Sequence, residues 1–363
     1  MITRLAQPLK LRPRLDAKPW GGRRLAEWGI ALPSDERIGE ALLTAPEATV
    51  ASGDLAGATL GELAQQAPET WIGARGLEAT GGRNLFPLLS KLIDAQTDLS
   101  VQVHPDDRAA SAASLGTGKT ETYHILAAEP GSVLYLGLTP EAKEEEFATA
   151  CLRGDGTAAR LLRRVAVTPG MTILIPAGTA HAPGAGIVLY EIQQPSNVTY
   201  RLDDWGRVDA DGKPRALHHA EGLPLVDSSS RPEPIDPIPL GNGSAGRTLL
   251  VATRYFALER IVPAAGKRLH LAAVASPQVL TCLAGTGVIE TSGEPVMVTM
   301  GETVVVPVGT ATGLRADKGA VLLRAWVPDL EREVINPARA AGASDSTIRQ
   351  LGLSIGQPDT PGV

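Results

Sequence analysis

Four side chains in this sequence have the chemistry of a divalent-metal site. Gln102 and His104 lie two residues apart in SVQVHPDD. Side chains alternate along a strand, so both turn to one face there, with Ser100 beside them. Glu121 lies in GKTETYHIL, at the entrance to the next strand, and His181 ends the segment GMTILIPAGTAH. Together they offer two imidazole nitrogens and two oxygens, a donor set that suits one Zn²⁺-like ion per chain. Spacing alone is a weak signal, because a single strand histidine is commonly a hydrogen-bonded core residue. Charged residues stand nearby. Lys119 precedes Glu121 by two positions, and Glu191 and Arg201 bracket LYEIQQPSNVTYRL. Lys119 and Arg201 are cations able to bind or steer an anion. Glu191 and Arg201 read equally well as a surface ion pair. Arg207, Lys213 and Arg215, in DDWGRVDADGKPR, read as a solvated loop, and His124, His218, His219 and His270 as structural.

The elements that must position these residues show an internal repeat. GETVVVPVGTAT at 301–312 keeps the glycines, the proline and the Gly-Thr-Ala of GMTILIPAGTAH, but ends in Thr312 where the first copy has His181. Each copy is a β-branched strand stopped by a proline, which has no N–H for the ladder. YHILAAEPGSVLYLG and QVLTCLAGTGVIETS each read as strand, glycine turn, strand. FPLLSKLIDAQTDLSVQVHP reads as two strands around a turn. The second copy has no Gln/His/Glu cluster upstream, so one half is equipped for a ligand and the other stripped.

The expected fold is mainly β: two jelly-roll β-barrels, with helical insertions confined to the N-terminal half at about 57–72 and 139–166. Thr59 and Glu62 form a capping box for the first insertion. Thr139, followed by Pro140, is the expected N-cap of the second. The expected organisation is a metal-bearing domain over 1–227, a Pro/Ser/Gly-rich linker over 228–246, a metal-free domain over 247–330, and a tail over 331–363 with one short helix and a frayed end.

Composition limits the function. The 363 residues suffice for two cores, and 39 glycines with 28 prolines favour short strands and many turns. A net charge of −6 argues against a nucleic-acid or anionic-membrane partner. The two cysteines, Cys151 and Cys282, sit far apart and outside any CxxC pair, which fits a reduced, cytoplasmic compartment. The first residues lack the apolar core of a signal peptide.

LSVQVHPDD, GKTE, IPAGTAHA and YRLDDWGR, with PWGGRRL and PLLSKLIDA, resemble the class I phosphomannose isomerases, the mannose-6-phosphate isomerases of the cupin superfamily. GMTILIPAGTAH fits the second cupin motif, G-x5-P-x-G-x2-H, at every fixed position. The resemblance covers roughly residues 1–225. It implies cupin-type barrels and a zinc site built from Gln102, His104, Glu121 and His181. It also implies a catalytic Arg201 with Lys119 and Glu191 in the active cleft. Ser100, Lys119 and Arg201 are then the expected substrate contacts. The implied reaction interconverts mannose 6-phosphate and fructose 6-phosphate, in a monomer or homodimer. Two positions depart from the family: Tyr123-His124 where many relatives carry Trp-Tyr, and Asn197 where they commonly carry Asp. A cupin isomerase for another sugar phosphate, such as glucose 6-phosphate, and a non-catalytic sugar-phosphate binder are the competing readings.

Overall fold

The β-branched runs become strands of four antiparallel sheets. The computed structural model describes residues 7–208, 212–241, 246–316 and 319–354. A first large sheet runs, in spatial order, Thr172–Ile175, Glu121–Ala128, Ile187–Gln193, Leu89–Ala95, Ile38–Leu42, Arg14–Gly22. A second large sheet repeats that order with Thr303–Val306, Gln278–Ala284, Val321–Trp326, Ala257–Val262, Gly246–Ala252 and Ile238–Pro239. Two small sheets match in the same way. One holds Tyr200–Asp203, Val101–Val103, His181–Pro183, Val133–Leu138 and Leu162–Ala166. The other holds Arg268–Leu271, Thr312–Arg315, Thr286–Glu290 and Val296–Thr299. The chain's first described strand, Leu9–Arg12, pairs with Thr303–Val306 of the second large sheet.

The large sheets are buried on both faces, which is why TILI and TVVV read as continuous apolar runs. One face of the first packs Ile93, Ile125, Ile173 and Leu189 against Leu134 and Leu136 of its small sheet. The corresponding face of the second packs Ile261, Leu280 and Leu322 against Ile289 and Leu314. The remaining faces meet in one shared core, where Leu92, Val188 and Tyr190 join Leu258, Val279, Val305 and Leu323. Each such side chain contributes about 1.5–3 kcal/mol by leaving water.

Several expectations change. Glu121–Ala128 and Val133–Leu138 do not pair with each other. The turn at Gly131, with φ of 86°, is a corner that carries the chain from the large sheet to the small one. Leu89–Ala95 and Val101–Val103 are divided between sheets in the same manner. The Thr59 capping box forms: the Glu62 N–H donates to Thr59 Oγ1 at 3.2 Å, and the Thr59 N–H to Glu62 Oε2 at 2.8 Å. Its helix, Leu60–Gln66, is followed by Pro68–Trp71 and Gly73–Ala79.

Thr139 does not cap the second insertion. The Ala142 N–H donates to Thr139 O in a turn, and the helix spans Glu144–Arg153, with Glu144, Glu145 and Glu146 at its positive end. After the turn Thr157–Leu161, residues 162–166 are a strand paired with Val133–Leu138, not part of a helix. Of the 228–246 stretch, the described residues 228–241 are docked: Ile235 and Ile238 are buried, and Ile238–Pro239 pairs with the next strand. The tail holds a π-helical turn, Leu330–Ile335, and two helices, Asn336–Ala340 and Asp345–Gln350, instead of one. Val334, Ala338 and Ile348 anchor it in the shared core. The expected frayed end concerns residues 355–363, outside the described ones. No helix among the described residues is long and apolar enough to cross a membrane.

Candidate metal centre

Strand register brings the candidate ligands together. His181 opens its strand opposite Gln102, and Gln102 lies opposite Arg201 on the other side. Glu121 opens its strand opposite Ile175, the residue before the proline stop. The turn between Pro176 and His181 is tied back to the first histidine, the Gly178 N–H donating to His104 O at 2.9 Å.

One ligand atom each from His104, Glu121 and His181 falls within 4.8 Å of the others, and all three residues are buried. His181 Nε2 lies 2.9 Å from Glu121 Oε1, and His104 Nε2 lies 3.4 Å from Oε2. Each imidazole rests its other nitrogen on a backbone carbonyl: His104 Nδ1 on Val198 O at 3.0 Å, His181 Nδ1 on Thr179 O at 2.9 Å. A carbonyl only accepts, so Nδ1 carries the proton and Nε2 presents its lone pair, the arrangement a metal-binding histidine requires. The Gln102 amide lies 3.2 Å from His181 Nε2, and turning that amide by 180° presents its oxygen there. The residues therefore fit a divalent cation with mixed nitrogen and oxygen donors.

The surroundings are strongly charged. Lys119 Nζ stands 2.9 Å from Glu121 Oε2 and 3.1 Å from His104 Nε2. Burial, reinforced by Lys119, pushes His104 down to about 3, so the ring is neutral. Burial opposes the charge on Glu121, but Lys119 and His104 outweigh it and hold the carboxyl well below its ordinary range. The Tyr123 hydroxyl donates to Glu121 Oε1 at 2.6 Å, and burial with that carboxylate raises it well above the ordinary phenol value. Glu191 is raised, chiefly by burial, against the pull of Lys91 at 3.1 Å.

A cavity of about 350 Å³ adjoins the cluster through Gln102, Lys119 and Tyr123, which line it and touch the cluster residues. Ser100, Gln102, Lys119, Glu191 and Arg201, all expected at the site, line it, as does Asn197. The expected alternative, a Glu191–Arg201 surface pair, does not form. Glu191 is buried on Lys91, and Arg201 Nη1 donates to Ala216 O at 2.8 Å. Three of the remaining histidines make structural bonds: His124 bonds Thr172 Oγ1, His218 Nδ1 accepts the Arg201 N–H, and His219 bonds Leu202 O; His270 is exposed on the strand Arg268–Leu271.

Sequence reasoning missed several cavity residues, among them Arg14, Asp16, Lys18, Glu40, Lys91 and Arg215. Lys91 sits in a strand whose every residue is buried, and a lysine inside such a run was a usable signal. Arg215 was read with Arg207 as solvated. Both instead pair with Asp204, whose side chain is buried.

The second half places other chemistry at the same positions. Overlaying the two repeated segments sets Val306 on Ile175, so Gln278, opposite Val306, corresponds to Glu121. Arg324 corresponds to Glu191 and its cross-strand partner Glu259 to Lys91. Arg247 corresponds to Glu40 by the same register.

A family model, "Phosphomannose isomerase type I, catalytic domain", matches residues 9–134. The mannose-6-phosphate isomerase ManA of Bacillus subtilis strain 168 is 39% identical over 232 residues, covering 62% of this chain and 70% of its own. A mannose-6-phosphate isomerase of Streptococcus mutans is 35% identical over 257 residues, covering 69% and 78%. The crystal structure of the mannose 6-phosphate isomerase from Bacillus subtilis superposes with a TM-score of 0.75 at 29% identity, over 88% of this chain and 99% of that one.

Proposed function

This chain belongs to the family of type I phosphomannose isomerases, and from that premise we propose that it is a zinc-dependent aldose–ketose isomerase interconverting mannose 6-phosphate and fructose 6-phosphate. The observation that carries this reading is the buried His104–Glu121–His181 cluster, with both Nδ1 atoms on carbonyls, beside a cavity with cationic side chains. Gln102, His104, Glu121 and His181 would hold one Zn²⁺ per chain, which supplies a Lewis acid for substrate oxygen.

The isomerisation moves a proton between C1 and C2 through an enediol. Arg201, beside Gln102 on the neighbouring strand, offsets the negative charge that develops on oxygen. Lys119 Nζ and Glu191 Oε1 lie 4.0 Å apart in the cavity and serve as the acid–base groups. Burial raises the Glu191 carboxyl above its ordinary value, against the pull of Lys91. Ser100 joins Lys119 and Arg201 in holding substrate. Asn197 orients it by hydrogen bonds, since an amide moves no proton at that position.

The architecture we assign is two cupin-type jelly rolls, 1–227 and 247–330, joined through 228–246 and followed by the 331–363 tail. The chain works as a monomer or homodimer in the cytoplasm on a small sugar phosphate, with both cysteines free. The test is turnover of mannose 6-phosphate, its loss on chelation and its return with Zn²⁺. Turnover of glucose 6-phosphate alone would move the reading to another sugar phosphate. Ligand binding unaffected by chelation, without turnover, would move it to a binder.

A further inference from the structure

The second half reaches toward the site through a turn that the assigned reaction leaves unused. It joins Gly246–Ala252 to Ala257–Val262, the strands that correspond to Ile38–Leu42 and Leu89–Ala95. In the first half that connection is expanded into the helices between Leu60 and Ala79. In the second it is four residues, TRYF, at 253–256. Thr253 builds the turn: its hydroxyl accepts the N–H groups of Tyr255 and Phe256, both at 3.1 Å, and donates to Phe256 O at 3.1 Å. The Tyr255 ring packs in the shared core, with the Arg254 guanidinium 5.1 Å from its centre. Its hydroxyl donates across the seam to Asp107 Oδ2 at 2.6 Å. Burial and that bond raise the phenol above its ordinary value, so the hydroxyl keeps its proton and stays a donor.

Asp107 passes the contact inward. Its Oδ1 accepts the Gly118 N–H and the Gln194 side-chain amide, each at 2.9 Å. Gln194 Oε1 accepts the Thr120 N–H at 2.9 Å, and the Gln194 N–H donates to Thr120 O at 3.2 Å. Lys119 lies between these two held residues, with its own N–H on Pro105 O at 2.9 Å. Gly118 approaches so closely that a Cβ there would stand 2.5 Å from the Asp106 carbonyl carbon. Lys119 comes before the strand Glu121–Ala128 begins, so its placement depends on these bonds more than on a ladder. Gln194 directly follows the strand that carries Glu191. The segments bearing Lys119 and Glu191 therefore meet at one carboxylate, and a tyrosine of the other half holds that carboxylate in place.

Building on the isomerase reading, we propose that Tyr255 is a positioning residue for Lys119. Through Asp107 it fixes where the Lys119 ammonium stands relative to Glu121 and Glu191. Among the described residues lining the cavity Tyr255 is absent, so it acts through the backbone of 118–120 and not on substrate. Without the phenol, Asp107 Oδ2 turns to water and the carboxylate loses the contact that orients it. Small displacements of an acid–base group are costly to turnover, because the reacting geometry is narrow.

The test uses Tyr255→Phe, which keeps the ring in the core and removes the hydroxyl. With mannose 6-phosphate, kcat should fall about tenfold with KM within about threefold, the size expected from one hydrogen bond to a charged group. Bound metal should be unchanged. Hydrogen exchange read by mass spectrometry should quicken about tenfold over 113–120 and hold over 246–262. A merely structural role for the hydroxyl would loosen 246–262, the strands around the turn, instead. Asp107→Asn can turn its amide oxygen to Gly118 and Gln194 and its amide N–H to the phenol oxygen, so it should fall between wild type and Tyr255→Phe in both readouts. It carries the comparison if the phenylalanine variant fails to fold. An unchanged kcat, a loss of metal, or quickened exchange over 246–262 without 113–120 overturns the assignment. If wild type turns over no mannose 6-phosphate, the isomerase reading fails on its own. Exchange over 113–120 then decides for Tyr255: a rise in Tyr255→Phe supports the clamp, and no change refutes it.

Discussion

Four matched interior positions are Glu40, Lys91, Glu191 and Glu121 in the first half and Arg247, Glu259, Arg324 and Gln278 in the second. The first three are inverted in sign, and the fourth is neutral. In the second half the set closes on itself. Arg324 donates to Glu259 Oε1 at 2.9 Å and to Gln278 Oε1 at 2.7 Å, and Arg247 donates to Glu259 Oε2 at 2.7 Å. The Arg324 guanidinium also lies 4.2 Å from the Trp326 ring centre. In the first half Glu121 Oε2, Glu191 Oε1 and Arg201 Nε are buried without a hydrogen bond of good geometry. Buried polar atoms are costly when unpaired, so a fold keeps them where a ligand completes them. The same backbone is thus a site in one half and a sealed ion-pair network in the other.

The sharpest way to break this contrast is to make the first half resemble the second. His181→Thr should remove the bound metal and lower isomerase activity by on the order of 1000-fold or more, because a Lewis acid is worth several kcal/mol. Metal analysis and kinetics check it; full occupancy with normal turnover would end the ligand assignment.

Next comes Arg324→Met, which leaves the buried Glu259 with Arg247 alone. It should cost about 3 kcal/mol in denaturant unfolding, the usual effect of breaking a buried pair. Metal content and kcat of the folded protein should hold. A large drop in kcat would show that the second half is more than a scaffold.

A smaller effect tests the seam between the halves. His124 is pushed down to about 4 by burial and by Arg260 of the other half. The unfolded chain takes up this proton near pH 6.5 and the folded one does not, so stability falls as pH drops from 6.5 toward 4. The slope from this residue is about 1.4 kcal/mol per pH unit. His124→Gln should remove that increment from the pH dependence of unfolding, and an unchanged slope would contradict the assignment. The smallest expected effect is that of Thr312→His. It restores the repeat's histidine opposite a half with Gln278 in place of the carboxylate, so metal stoichiometry should not rise above one per chain.

What was legible in the sequence was local. Alternation along SVQVHPDD and the proline-stopped turn before His181 were enough to nominate the ligands, because those residues are placed by their own strands. The neutralisation of buried charge was not legible. Lys91 finds Glu191 only through register, and Arg215 finds Asp204 only through the path of its loop, so a lysine in an apolar run and an arginine in a polar loop gave little sign of their partners. The glycine turns looked like hairpins because a corner between sheets uses the same turn residues. Thr139-Pro140 had the composition of a helix start but closes a turn instead. The proline-rich 228–246 stretch looked free because two isolated isoleucines, Ile235 and Ile238, do the docking.

The strand Leu9–Arg12 has a consequence for how the molecule is made. Its ladder partners are Thr303, Val304 and Val305. At 5–20 residues per second, the ribosome takes roughly 15 to 60 s to supply them. Throughout that interval the segment must wait with that edge unpaired, so the second large sheet closes on a strand made long before its partner Thr303–Val306.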